Sequence, residues 1–128
     1  MEYKDINIFI QSDLPENEIV SCLTAFMGIE PKMGVNGFDQ PICCWDLCCI
    51  TFRFGKEHGF ENDCGMDFES FEYECWLGPS MWSGLNEEAD GLAKGMALML
   101  GKYLSLKLKC RVMVVNNVQT LMAEYNAS

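Results

Sequence analysis

The sequence predicts an α+β fold: a mainly antiparallel sheet of four to five strands with two principal helices packed on one face. Short segments that alternate apolar and polar residues are typical of half-buried strands. Two longer stretches instead repeat their apolar residues at helical spacing. The predicted elements follow the order β-α-(β)-β-β-α-β-(α), and the 128 residues are expected to form a single domain, 1–128.

The chain opens with a predicted strand and helix. Alternating isoleucines predict a strand over Lys4–Gln11. Asp13 is placed as the N-cap of the helix, with Glu16 three residues on in the manner of a capping box. Pro15 is tolerated in the first turn, and Gly28 is expected to end the helix.

The middle of the chain alternates turn residues with strand-like segments. Residues 31–45 are rich in Gly and Pro, so we expect a loop, with a short edge strand near Met33–Phe38. A strand is predicted over Trp45–Phe54 and another over Asp67–Leu77. The polar segment Lys56–Met66 is expected to join them as antiparallel neighbours.

The strand Asp67–Leu77 has the cleanest alternation in the chain. One set of side chains is expected to face the core: Phe71, Tyr73, Cys75 and Leu77. The opposite set is expected to face solvent: Ser70, Glu72, Glu74 and Trp76. We therefore expect the sheet to be built around this strand.

The last third of the chain predicts a helix over Asn86–Leu104, a strand over Cys110–Val115 and a short helix over Val118–Tyr125. Three glycines fall inside the long helix: Gly91, Gly95 and Gly101. Each costs about 1 kcal/mol relative to Ala. One explanation for them is close packing of the helix on the sheet, where a side chain would not fit.

The charge of the chain restricts its partners. Nineteen acidic residues outnumber nine basic ones, for a formal net charge of −10. Nucleic-acid binding draws on Lys and Arg, so it is not expected, whereas a basic protein would be attracted. No apolar run approaches the roughly 18 residues of a membrane span, and no signal peptide is recognised. The cytoplasm is the expected location.

Charge is also segregated along the chain. Residues 57–90 contain ten acidic residues and no Lys or Arg, whereas residues 94–128 contain five basic residues and one acidic residue. Aromatic residues are enriched at the hot spots of protein interfaces, and Trp76 would give this acidic surface an aromatic anchor. The predicted partner-binding residues are Glu57, Glu61, Asp63, Asp67, Glu69, Glu72, Glu74 and Trp76.

Eight cysteines are expected to be reduced thiols. Cys22, Cys75 and Cys110 occupy apolar positions, where cysteine acts as a small hydrophobe. The run Cys43–Cys49 leaves open a metal-binding module, although a second CxxC pair is missing and His58 is nine residues away. No metal or other cofactor is expected.

The sequence contains no complete catalytic motif and no phosphate-binding glycine loop, so we do not expect an enzyme. An alternative stays open: a small enzyme that uses a cysteine or a carboxylate, with His58 as a possible base.

A strand followed by S-D-L-P-E-N-E-I and an amphipathic helix ending at Gly28 resembles the opening of small bacterial immunity proteins, including those of contact-dependent growth inhibition. The resemblance covers Ile6–Gly28. It implies a protein that binds a cognate toxin domain, often a basic nuclease, and blocks its active site or substrate access. We expect such a protein to be a monomer or weak homodimer. No binding residue is carried over from the resemblance.

Overall fold

In a computed structural model of the chain, the described residues are 6–35, 39–56, 58–80, 86–117 and 119–126. They form seven strands, two α-helices and one short 3-10 helix. The strands are β1 (Ile6–Gln11), β2 (Lys32–Val35), β3 (Pro41–Leu47), β4 (Ile50–Lys56), β5 (Tyr73–Pro79), β6 (Arg111–Asn116) and β7 (Thr120–Tyr125). The helices are α1 (Glu16–Met27), the 3-10 helix (Phe68–Ser70) and α2 (Asn86–Leu108).

All seven strands belong to one antiparallel sheet with the order β2-β3-β4-β5-β1-β6-β7. The α+β class is confirmed, but the prediction of four to five strands is wrong, because the sheet contains seven. The antiparallel pairing of β4 with β5 is confirmed. The edge strand predicted near Met33–Phe38 is β2, and Phe38 lies outside the described residues.

One additional strand arises because the predicted strand Trp45–Phe54 is two strands joined by a tight turn. Leu47 pairs with Ile50, and Cys48 turns the chain with a positive φ of 57°. The sequence has no Gly, Pro, Asn or Asp at this turn, and those residues are the usual signals of a hairpin. The continuous apolar run therefore resembled one strand.

A second additional strand replaces the short helix predicted over Val118–Tyr125. Val118 lies outside the described residues, and Thr120–Tyr125 forms β7 beside β6. Asn117 adopts a φ of 55°, a left-handed conformation that Asn tolerates, and so allows the chain to reverse. Pairing with β6 outweighs the weak local preference of this segment for helix.

Helix α1 ends as predicted but begins differently. Gly28 has a φ of 77°, and its amide donates to the carbonyl of Thr24 at 2.8 Å, which confirms the glycine stop. The capping box is wrong: Pro15 is the N-cap, Asp13 is exposed, and no side chain caps the helix. Instead, the amide of Glu18 donates to the carbonyl of Pro15.

The prediction for the glycines of α2 is confirmed at one position. A Cβ atom at Gly101 would lie 2.8 Å from Val114 Cγ2, so the helix needs glycine there to pack on β6. At Gly91 and Gly95, a Cβ atom would meet nothing within 4 Å, so close packing on the sheet is wrong for both. The helix instead packs through Ala89, Ala93, Ala97, Leu100 and Leu104, which are fully buried.

Both helices cover the same face of the sheet, and the main core lies between this face and the two helices. Its largest members from the strands include Ile8, Trp45, Phe52, Phe54 and Leu77. The opposite face, called the outer face below, has a smaller core of six residues: Phe9, Met66, Phe68, Phe71, Met113 and Val115. The two cores are the reason that β1 is buried on both faces.

The segment Asp67–Leu77 is a strand only from Tyr73 onward, since Phe68–Ser70 form the 3-10 helix. Tyr73, Cys75 and Leu77 enter the main core as predicted. The prediction for Phe71 is wrong, because this ring belongs to the smaller core on the outer face. The 3-10 helix that precedes β5 interrupts the alternation of core-facing and solvent-facing side chains, so Phe71 points to the other face.

Candidate interaction surface

The segment between β4 and β5 lies across the outer face; residues 58–72 are called the acidic loop. Met66, Phe68 and Phe71 are buried against Phe9 of β1 and against residues of β6. The ring centroids of Phe9 and Phe68 are 4.7 Å apart. Burial of three large side chains fixes the loop to the sheet.

Hydrogen bonds within the acidic loop set its conformation. Asp63 and Met66 exchange two backbone hydrogen bonds of 3.2 and 2.8 Å. Between them, Cys64 and Gly65 both have a positive φ, as in a type I′ turn. The amide of Glu69 donates to Asn62 Oδ1, and the amide of Asn62 donates to Glu69 Oε2. The tip is therefore a small closed hairpin.

His58 fastens the beginning of this loop to its end. The amide of Phe60 donates to His58 Nδ1 at 2.9 Å, so the ring proton resides on Nε2, which donates to the carbonyl of Phe71 at 2.9 Å. The ring also packs edge-on against Phe9. Both nitrogens are thus engaged with backbone atoms, an arrangement for holding a loop.

The acidic loop presents five exposed carboxylates, all of them predicted partner-binding residues: Glu61, Asp63, Asp67, Glu69 and Glu72. Within the described ranges, none of them forms an ion pair. Several accept local hydrogen bonds instead, such as that from the amide of Ser12 to Glu72 Oε2 at 3.0 Å. Glu57, also predicted for this surface, lies outside the described residues.

Glu74 and Trp76 lie beside the loop on the outer face of β5 and are half-buried. Asn7 Nδ2 donates to Glu74 Oε2 at 2.5 Å. The guanidinium of Arg53 lies 4.7 Å from the centroid of the Trp76 ring. The ring also lies over Gly78, where a Cβ atom would come within 2.5 Å of it. Trp76 is therefore held by contacts with both Arg53 and the backbone at Gly78.

Sequence reasoning did not single out Asn7 or Arg53. The register of the sheet explains why both residues lie beside Trp76. Arg53 pairs with Trp76, and Trp76 pairs with Asn7, across three neighbouring strands. In the sequence, Asn7 is only one polar residue among isoleucines, and its neighbours become apparent once strand order and register are known.

A depression of about 560 Å³ separates the acidic loop from the β2–β3 side of the outer face. Its lining includes Asn7, Arg53, His58, Glu74 and Trp76. Asn7 is only 2% exposed, and its Oδ1 has no hydrogen-bond partner in the described part of the chain. The lining mixes both charges with aromatic surface, which suits contact with a polar side chain.

The cysteines of the run Cys43–Cys49 do not converge. Cys43 faces the main core, whereas Cys44 lines the depression on the outer face. Cys48 is exposed at the turn. In the ranges that the structure describes, no three side chains of His, Cys, Asp or Glu are grouped to hold a metal ion.

Burial raises the pKa of four of the described cysteine thiols. It raises the pKa of Cys75 well above its ordinary value, and it raises the pKa of Cys110 to about 11, with Cys22 and Glu72 adding to the effect. Burial likewise raises the pKa of Cys43 and Cys44. A raised pKa lowers the thiolate fraction, so these sulfurs are poor nucleophiles at neutral pH. Cys75 is fully buried in the core, as predicted, while Cys22 and Cys110 are half-buried against it.

Among the residues described, neither helix is apolar enough over sufficient length to cross a bilayer. The chain matches no protein-family model, and no curated protein or solved structure is significantly similar to it.

Proposed function

We propose that this protein is an immunity protein that binds a cognate basic toxin domain, such as a nuclease, in the bacterial cytoplasm. The supporting observation is the acidic loop: five exposed carboxylates, without ion-pair partners among the described residues, on a segment anchored by buried aromatic rings. Carboxylates in this arrangement would pair with Lys and Arg of the toxin or occupy the positions of substrate phosphates.

The rigidity of the acidic loop bears on affinity. Ordering a mobile loop costs free energy at the moment of binding, whereas a loop already fixed by packing and hydrogen bonds avoids most of that cost. The Asp63–Met66 turn and the His58 bridge provide this order in the free protein. The net charge of −10 would also steer a basic partner toward the complex.

The depression extends the proposed surface, because His58 and Phe60 belong to the acidic loop and also line the depression. A partner side chain that entered it would meet the Glu74 carboxylate, the Trp76 ring and the Arg53 guanidinium that lies on that ring. Exposed charges at the rim would mainly affect the association rate, whereas a desolvated pair at Glu74 would mainly affect dissociation.

For the alternative of a cysteine-dependent enzyme, no described thiol pairs with a base in the way that a nucleophile requires. The Cys75 and Cys110 thiols have raised pKa values, and His58 uses both of its ring nitrogens for backbone contacts.

Co-expression with the toxin domain encoded next to this gene tests the proposal. We expect the wild-type protein to rescue growth and to co-purify with the toxin. The variant Glu61→Lys/Asp63→Lys should bind about tenfold or more weakly, since it places positive charge against a basic surface. The matched control Glu18→Lys/Glu30→Lys makes the same change of net charge at exposed positions outside the acidic loop.

Three outcomes would contradict the proposal. Equal loss in both variants would mean that net charge alone governs binding. Full protection by Glu61→Lys/Asp63→Lys would place the interface elsewhere. A neighbouring gene without a toxin domain, together with no basic partner in a pull-down, would remove the immunity function.

A further inference from the structure

Helix α2 presents large apolar side chains on the side that faces away from the sheet. Leu92, Met99 and Leu106 are 45%, 61% and 65% exposed. They succeed one another at intervals of seven residues, so they share one face of the helix. The residues that pack on the sheet, such as Ala93 and Leu100, lie on the opposite side.

This outward face has the spacing of a helix–helix contact. Its exposed positions follow intervals of four and three residues, and together they are called the seam: Glu88, Leu92, Gly95, Met99, Lys102 and Leu106. Gly95 lies at its centre, and a Cβ atom there would meet nothing within 4 Å. A glycine that weakens the helix and serves no contact within the chain leaves room for a neighbour.

Charge along α2 indicates the direction of that neighbour. Along the seam, Glu88 lies near the start of the helix, whereas Lys102 lies near its end. A second α2 helix in the parallel direction would bring like charges together. In the antiparallel direction, the acidic end of each helix meets the basic end of the other.

From these features we propose that two copies of this chain associate through antiparallel pairing of their α2 helices. The sizes of the seam residues fix the register: Met99 of each copy fills the space over Gly95 of the other. Leu92 then lies level with Lys102 of the second copy, and Glu88 lies level with Leu106, one turn from that same lysine. The pairing is symmetric about Ala97, as a twofold dimer requires.

The proposed interface is small. The seam spans 18 residue steps, or about 27 Å of helix at 1.5 Å per residue. One helix pair of this length is at the low end of stable interfaces, so the dimer is expected to be weak and concentration-dependent. The seam and the acidic loop lie on opposite sides of the sheet, so the dimer does not depend on the proposed function and leaves the acidic loop exposed.

Sedimentation of the full chain over a range of concentrations tests the dimer. The average mass should rise from 14.5 kDa toward twice that value as concentration increases. Met99→Glu should weaken association about tenfold or more, since it places a charge against an apolar surface. Met33→Glu is the matched control: Met33 is 71% exposed on the edge strand β2, so the dimer should survive this change.

Two further variants separate pairing from folding. Gly95→Leu should stabilise the monomer, because Leu favours helix and the new side chain meets open space, yet it should abolish the dimer. Lys102→Glu should weaken the dimer, and adding Glu88→Lys should restore it. A chain that stays monomeric at every concentration would overturn the proposal, as would a dimer that tolerates Met99→Glu or is lost with Met33→Glu.

Discussion

His58 illustrates how a residue with catalytic potential can have a different use. As the only histidine in the chain, it was a candidate base in the sequence. Its actual partners are the amide of Phe60 and the carbonyl of Phe71. Such partners are backbone atoms, and every residue carries them, so no pattern of residue types reveals which ones a side chain will reach.

The raised pKa values of two thiols make stability sensitive to alkaline pH. Burial raises the folded-state pKa of Cys75 well above the ordinary 9.0 and that of Cys110 to about 11. Above pH 9.0 the unfolded chain releases these protons while the folded chain retains them, which favours unfolding. The free energy of unfolding should therefore be fully retained below pH 9.0 and fall as pH rises toward about 11, as measured by urea denaturation.

Variants at two cysteines assign this effect. Cys75→Ala should reduce the alkaline loss, although it also lowers stability at neutral pH by leaving a small cavity. Cys48→Ala removes a thiol at an exposed position, outside the core, and is the matched control. An unfolding free energy that stays constant above pH 9.0 would contradict this explanation.

At the scale of elements, the sequence predicted those whose signals are local. The isoleucines of β1 alternate, the apolar positions of α1 repeat with helical spacing, and Gly28 ends that helix. The turn at Cys48 and the strand β7 were missed. Each depends on pairing with a neighbouring strand: β3 and β4 pair across a turn that lacks a typical turn residue, and pairing with β6 outweighs the weak helical propensity of Thr120–Tyr125.

Phe68 should control the order of the acidic loop more than the stability of the whole fold. Its ring is fully buried in the smaller core, which is separate from the main core between the sheet and the helices. Phe68→Ala removes contacts worth about 3–5 kcal/mol in a buried site. We expect faster hydrogen exchange in the acidic loop, while amides of β5, such as that of Cys75, stay protected.

Phe60→Ala is the control for this prediction, because Phe60 belongs to the same cluster but is only half-buried. Its effect on exchange should be smaller. Cooperative loss of protection throughout the sheet in Phe68→Ala would mean that the smaller core is part of the same unfolding unit as the main core.

At the scale of the whole molecule, the sheet divides the protein into two unequal sides. One side is closed by both helices, and the other is covered in part by the acidic loop. Clustering of acidic residues along the chain predicted where negative charge would accumulate. It did not predict that buried aromatic rings hold this segment against the sheet, because the strand alternation assigned Phe71 to the main core and nothing in the pattern singled out Phe60 or Phe68.

The excess negative charge should make the fold more stable as salt is added. The net charge is −10, and the ion pairs seen in the described ranges are Asp90–Lys94 and Arg111–Glu124. Repulsion among the carboxylates of the acidic loop therefore dominates over attraction at low ionic strength. Screening of that repulsion should raise the free energy of unfolding by about 1 kcal/mol or less, measured by urea denaturation at increasing sodium chloride.

Neutralising the acidic loop should reproduce the effect of salt. Glu61→Gln/Asp63→Asn removes two neighbouring charges from the loop, so it should stabilise the protein at low salt and reduce its response to added salt. Glu18→Gln/Glu30→Gln removes as much charge at exposed positions away from the loop, and its salt response should stay closer to that of the wild type. If stability instead falls as salt is added, attractive ion pairs outweigh repulsion, and repulsion among the carboxylates of the acidic loop does not limit stability.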